Sequence, residues 1–129
     1  MRVLLVEDEV RLADNLAAAL RDGPGFAVDW AADGEAGDDA ARNLCYDLVI
    51  LDLMLPKLHG FEVCRMLKAS PSTRHIPIFM LTAMASTENK VQGFNLGANE
   101  YMTKPFAMSE LLARVESMIA PSNFSPADA

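Results

Sequence analysis

Cysteine is scarce: the 129 residues contain only Cys45 and Cys64, with no CxxC spacing. That excludes a disulfide framework and a redox pair, and a chain of this length buries a core without such staples. Both thiols are expected to be free and partly buried, which suits a reducing cytoplasm. The two histidines, His59 and His75, stand apart from each other and from the cysteines, so the spacing offers no zinc site. Basic residues are also few. Eleven Lys and Arg against eighteen Asp and Glu leave a formal charge of −7, and direct nucleic-acid binding, which needs a clustered basic face, is not expected. No apolar run approaches the roughly 20 residues of a membrane span, and Val3–Val6 is too short for a signal peptide. The expected location is the cytoplasm.

What is present is a regular alternation of apolar runs and helical patterns. Val3–Val6 is an apolar run ended by acids. Val10, Leu12, Ala13, Leu16, Ala17 and Leu20 then recur at helical steps. Gly23-Pro24-Gly25 stops that helix. Phe26, Val28 and Trp30 alternate as a half-buried strand does, and Asp33-Gly34 opens a helix to about Leu44. Leu48–Leu51 is the third strand, Phe61–Ala69 the third helix, and Ile76–Leu81 the fourth strand with Thr82 at its end. A helix over Thr87–Leu96 stops at Gly97, a good left-handed cap. A short strand over Glu100–Thr103 and a helix over Ser109–Ile119 complete the series.

Five strands alternating with five helices predict an α/β fold: a doubly wound, five-stranded parallel sheet covered on both faces. The uninterrupted runs belong at its centre and the alternating second strand at an edge. Right-handed crossovers then favour the flavodoxin-like order 2-1-3-4-5, with ligands expected at the carboxyl ends of the strands.

Those ends carry the chemistry. Glu7-Asp8-Glu9 follow the first strand, Asp52 the third, Thr82 ends the fourth, and Lys104-Pro105 follow the fifth. Carboxylates gathered on one rim repel each other without a cation, and a hard divalent ion such as Mg2+ relieves this. Asp8 has a second reading as the cap of the first helix. Asp52 has none, because the next helix begins only near Gly60. Thr82 alone could be an ordinary strand-end hydroxyl, and Lys104 alone a solvated amine; at this rim Lys104 can neutralise an aspartate or its phosphate. Trp30, on the neighbouring strand, is not counted on to report ion binding.

The strings VLLVEDE, DLVILDLMLPKLHGFEV, IPIFMLTA and GANEYMTKPF resemble the CheY-like receiver domains of two-component response regulators over residues 1 to about 120. The resemblance implies a receiver domain over 1–120 and a flexible tail over 121–129, with no output domain. It implies that Asp52 is the phosphoacceptor. Asp8, Asp52 and the Met54 backbone carbonyl would ligate Mg2+, and Glu7 would act through a water. Thr82 and Lys104 would contact the phosphoryl group, Tyr101 would move inward with Thr82, and Pro105 would follow a cis peptide bond. The implied partner is a sensor histidine kinase or histidine phosphotransfer protein, and the implied role is a switch that assists its own phosphorylation and dephosphorylation, not an enzyme in the usual sense. Met84 borders the site in that family, and Asn99-Glu100 replace a frequent pair of aspartates at a surface. The segment Ser109–Val115 resembles the last receiver helix of OmpR/PhoB-type regulators. There Lys90 with Glu110 and Glu100 with Arg114 match pairs that join two copies, although Glu110 and Arg114 are also spaced to pair within one helix.

Two other readings share parts of this pattern. A flavin binder of the same fold would need a Ser/Thr/Gly-rich phosphate loop where Glu7-Asp8-Glu9 stand. An aspartate-nucleophile phosphatase would want a second aspartate where Met54 stands. A receiver-shaped module that is never phosphorylated is a third, disfavoured by the complete set of site residues.

Overall fold

The structure is a computed structural model that describes residues 1–119; the expected tail, 121–129, lies outside the described residues. The elements run β1 (Arg2–Val6), α1 (Val10–Asp22), β2 (Ala27–Ala31), α2 (Gly34–Asn43), β3 (Leu48–Leu51), α3 (Gly60–Ala69), β4 (Ile78–Thr82), α4 (Thr87–Asn95), β5 (Glu100–Thr103) and α5 (Met108–Ile119). All strand pairings are parallel and the order is β2-β1-β3-β4-β5, as the sequence predicts.

Alternation along the strands divides the core into two layers. Leu4, Val6, Val49, Leu51, Ile78 and Met80 face one side with Ala41, Val63, Cys64 and Leu67 from the helices. Val3, Leu5, Leu48, Ile50, Phe79 and Leu81 face the other with Ala13, Leu16, Leu20, Leu111 and Val115. The central strands are apolar throughout because both layers need filling. Each buried Leu, Ile or Phe contributes about 2 kcal/mol. The sheet is thus a firm platform for whatever its carboxyl rim carries.

Capping refines the element boundaries. Asp33 Oδ1 accepts from the Ala36 amide at 2.7 Å and Ser86 Oγ from the Asn89 amide at 3.1 Å, satisfying first-turn donors of α2 and α4. At α3 the cap is His59, whose Nδ1 accepts from the Phe61 amide at 3.1 Å. At α1 the cap position is Glu9, which makes no side-chain cap bond. Capping is therefore not what Asp8 does. The fourth strand starts at Ile78, later than the sequence predicts, because Pro77 has no amide and the Ile76 amide turns back to the Thr73 carbonyl. Asn99, expected to matter only at a surface, accepts the Ile78 amide through Oδ1 at 3.1 Å and so closes the start of β4.

The thiols differ from expectation: neither is partly buried. Cys45 is exposed and Cys64 is fully buried. Burial pushes the Cys64 thiol up to about 11, and only the thiolate is reactive. A disulfide reagent at neutral pH should titrate one thiol in the native chain and two after denaturation. Two fast native thiols would contradict the packing of α3.

Candidate functional site

Register aligns the strand ends. Val6 pairs with Leu51 and Leu51 with Met80, so Glu7 and Asp52 emerge side by side. The Asp52 amide donates to the Val6 carbonyl at 3.0 Å, and the Lys104 amide to the Thr82 carbonyl at 2.9 Å. The backbone ladder thus fixes all four strand ends before any side chain is considered.

Glu7, Asp8 and Asp52 each offer a carboxylate oxygen, and these lie within 4.8 Å of one another. Glu7 is 2% exposed and Asp52 6%, whereas Asp8 faces solvent. Lys104 lies between the two buried acids. Its Nζ donates to Glu7 Oε1 at 2.8 Å and to Asp52 Oδ2 at 2.9 Å. Asp52 Oδ1 accepts from the Met54 amide at 3.2 Å, and Glu7 Oε2 from the Glu9 amide at 3.1 Å. A set of hard oxygen donors, one solvent-facing, fits a divalent cation that keeps part of its water shell. The expected Lys104–Asp52 contact is present. The direct Lys104–Glu7 bond, across 97 residues of sequence, is what sequence reasoning missed.

Electrostatics follow the geometry. Burial pushes the Glu7 carboxyl above its ordinary 4.5, outweighing the bonds from Lys104 and the Glu9 amide, and the Asp52 charge adds to the rise. Burial alone would lower Lys104, but its bonds to Glu7 and Asp52 prevail and hold it above 10.5. Between pH 4.5 and the raised value, the folded chain holds more proton on Glu7 than the unfolded chain. Stability from this group is therefore lost as pH rises through that window. In EDTA, denaturant midpoints should show this decline from acid to neutral pH, and Glu7→Gln should flatten it. An equal decline in Glu7→Gln would assign it elsewhere.

Thr82 is completely buried at the end of β4, and its Oγ1 accepts from the Met84 amide at 3.3 Å. Tyr101 is turned inward: it is buried, and its hydroxyl donates to the Met84 carbonyl at 2.5 Å. The backbone of Met84, through its amide on one side and its carbonyl on the other, therefore links Thr82 to Tyr101. The Lys104–Pro105 peptide is cis, as the resemblance implies. At the other surface, Arg114 donates to Glu100 at 2.9 Å and to Glu110 at 3.0 Å within the same chain, while Lys90 makes no ion pair among the described residues. Trp30, not counted on to report ion binding, donates its indole N–H to the Glu7 carbonyl at 2.7 Å.

A parallel sheet carrying acids, a hydroxyl and a lysine on one rim defines an α/β signalling domain of the receiver type. Residues 3–116 match the response regulator receiver domain family, and the chain belongs to that family. It is 42% identical over 123 residues to the probable transcriptional regulatory protein SilR of Salmonella typhimurium, covering 95% of this chain and 53% of SilR. The chain thus spans about half the length of the curated relatives it matches. Among solved structures, a Francisella response regulator receiver domain superposes with a TM-score of 0.87 at 29% identity, covering 94% of this chain and 98% of that one. The receiver domain of a Pseudomonas aeruginosa sensor histidine kinase, described with magnesium coordinated in its active-site cleft, does so with 0.84 at 33% identity, covering 92% and 97%. The similarity to transcriptional regulators agrees with the OmpR/PhoB-type likeness of α5. No helix among the described residues is long and apolar enough to cross a membrane.

Proposed function

We propose that Asp52 accepts a phosphoryl group from the phosphohistidine of a sensor histidine kinase or histidine phosphotransfer protein in the cytoplasm, and that the resulting charge switches the surface formed by α4, β5 and α5. The observation that carries this reading is the clamp on Asp52. One oxygen is tied to Lys104 and the other to the Met54 amide, at the strand end where two further carboxylates converge.

An Asp52 oxygen attacks phosphorus, the P–N bond to imidazole breaks, and the imidazole retains the electron pair and takes up a proton. Lys104 neutralises charge on the transferring oxygens, where most catalysis of phosphoryl transfer lies. The same residues later admit water to the acyl phosphate, so the chain assists both its phosphorylation and its return. Asp8 and Asp52, the Met54 carbonyl, and Glu7 through a water would hold Mg2+, which when bound supplies further charge neutralisation. The magnesium named in the Pseudomonas aeruginosa structure supports this choice of ion.

Phosphorylation adds charge and acceptor oxygens that draw on Lys104 and on Thr82. The Thr82–Met84–Tyr101 chain carries that demand toward β5 and α4. Dimerisation on this surface would exchange Arg114's internal bonds to Glu100 and Glu110 for Glu100–Arg114 and Lys90–Glu110 pairs between copies. Such exposed pairs contribute little each, so the dimer is weak and salt-sensitive. Met84 lies beside the site through its backbone, which bonds both Thr82 and Tyr101.

Incubation with acetyl phosphate and Mg2+ should add one phosphoryl mass, labile to hydroxylamine and mapping to the peptide that contains Asp52. No label, or a label on another residue, overturns the reading. Asp8→Ala should weaken Mg2+ binding by about tenfold or more in calorimetry, because it removes a direct ligand. The same substitution should leave the metal-free fold as stable or more so, since it removes like-charge repulsion. Unchanged affinity would remove Asp8 from the site.

A further inference from the structure

The end of β1 is held by β2 in an unusual way. Val6 pairs with Ala31, and the Glu7 amide continues the ladder to the Ala31 carbonyl at 3.0 Å. A parallel ladder would next take the Glu7 carbonyl to an amide further along β2. The strand has ended there, however, and the chain turns toward α2, with Asp33 as its cap. The acceptor is satisfied by a side chain instead: Trp30 Nε1 donates to the Glu7 carbonyl at 2.7 Å. Glu7 is thus gripped on both sides of its backbone by the last two residues of β2.

Packing does not account for this tryptophan. Trp30 belongs to neither apolar layer and remains 43% exposed. Its polar atom, by contrast, makes a short bond to the residue that begins the acidic cluster. Peptide planarity gives that bond its reach. Fixing the Glu7 carbonyl fixes the plane that also contains the Asp8 amide and Cα. Asp8 depends on this plane, since no hydrogen bond or ion pair among the described residues holds its exposed side chain. Glu7 and Asp52 are tied by Lys104, whereas Asp8 is aimed only by its backbone.

We infer that Trp30 is a positioning residue of the cation site: its indole N–H orients the Glu7–Asp8 peptide and thereby aims the Asp8 carboxylate. This rests on the reading of Glu7, Asp8 and Asp52 as the cation-binding set. Outer-shell bonds of this kind usually act by orienting the ligands themselves.

Trp30 is the single tryptophan of the chain, so biosynthetic replacement of tryptophan alters this residue alone. Benzothienylalanine keeps the bicyclic shape and replaces the N–H with sulfur. Calorimetric Mg2+ binding should be about tenfold weaker in that protein and in Trp30→Phe, with a metal-free melting temperature close to that of the natural chain for the benzothienyl form. The natural chain's one indole 15N–1H resonance should shift on adding Mg2+, and in Asp8→Ala the same shift should need about tenfold more Mg2+. Mg2+ affinity in the benzothienyl protein equal to that of the natural chain overturns the inference and leaves the cation site standing. Failure of the natural chain to bind Mg2+ overturns both.

Discussion

Asp52→Asn is expected to take no phosphoryl group from acetyl phosphate while remaining folded, a complete loss of label at nearly unchanged stability. The amide is a poor nucleophile, and neither neighbouring carboxylate is a ready substitute. Glu7 is held like Asp52, by Lys104 and a backbone amide, but burial keeps its carboxyl above the ordinary range, and Asp8 lacks the lysine. The fold should tolerate the change because asparagine can still accept the Met54 amide through Oδ1. Lys104 also retains Glu7. Nδ2 of the asparagine cannot accept from Lys104, so that bond is lost, but removing one of two buried acids relieves their repulsion and offsets the loss. The measurements are intact mass after acetyl phosphate treatment and a thermal melt of the same sample. A labelled Asn variant would refute Asp52 as acceptor, and an unfolded one would show the carboxylate to be structural.

Gly60→Ala is expected to destabilise the chain by about 3 kcal/mol or more and to lower phosphoryl uptake as well. A Cβ at residue 60 would lie 2.3 Å from the Asp52 carbonyl oxygen and 2.5 Å from Leu53 Cα. Both are backbone atoms of the segment that presents Asp52, so no side chain can swing aside to make room. The Gly60 amide also donates to the Leu53 carbonyl at 2.9 Å, tying the start of α3 to that segment. Gly25→Ala is an informative contrast. Gly25 meets nothing within 4 Å but has φ of +78°, so the substitution should cost only about 1 kcal/mol, through the backbone. Urea titrations of the two variants separate the mechanisms. Equal small losses would mean that the loop after Asp52 yields more readily than its contacts imply.

The sheet was legible in the sequence because its strands announce themselves twice, by composition and by what ends them. Val3–Val6 and Leu48–Leu51 are apolar throughout and stop at acids, and those acids prove to share one rim. Thr82 and Lys104 followed from the same rule about strand ends. Boundaries were less legible where a single backbone donor decides them, as at Pro77, or where an unusual cap such as His59 begins a helix. The Lys104–Glu7 bond and the Trp30–Glu7 bond were not legible at all. Whether Lys104 reaches one acid or two depends on ångström-scale placement of side chains 97 residues apart. Whether an edge-strand indole turns toward β1 depends on where the ladder runs out. The alternation of Phe26, Val28 and Trp30 revealed the strand but not the hydrogen bond. The thiols were misjudged for a related reason: helical pattern placed Cys45 and Cys64 near helices without showing that one closes a core layer and the other lies outside it.

Among the helices, α4 touches the sheet chiefly through an absence. Its one buried residue is Gly93, while Val91 is exposed and Phe94 is half exposed with its ring beside Tyr101. A Cβ at Gly93 would lie 2.9 Å from Met80 Sδ and 3.1 Å from Tyr101 Cδ2, so bare backbone rests on the very ring that bonds Met84. With glycine at the seat, α4 follows the position of Tyr101 closely: the Gly93 backbone lies against that ring, and Phe94 packs beside it. Any displacement of Tyr101 would therefore be felt by the helix at once, with no intervening side chain to absorb it.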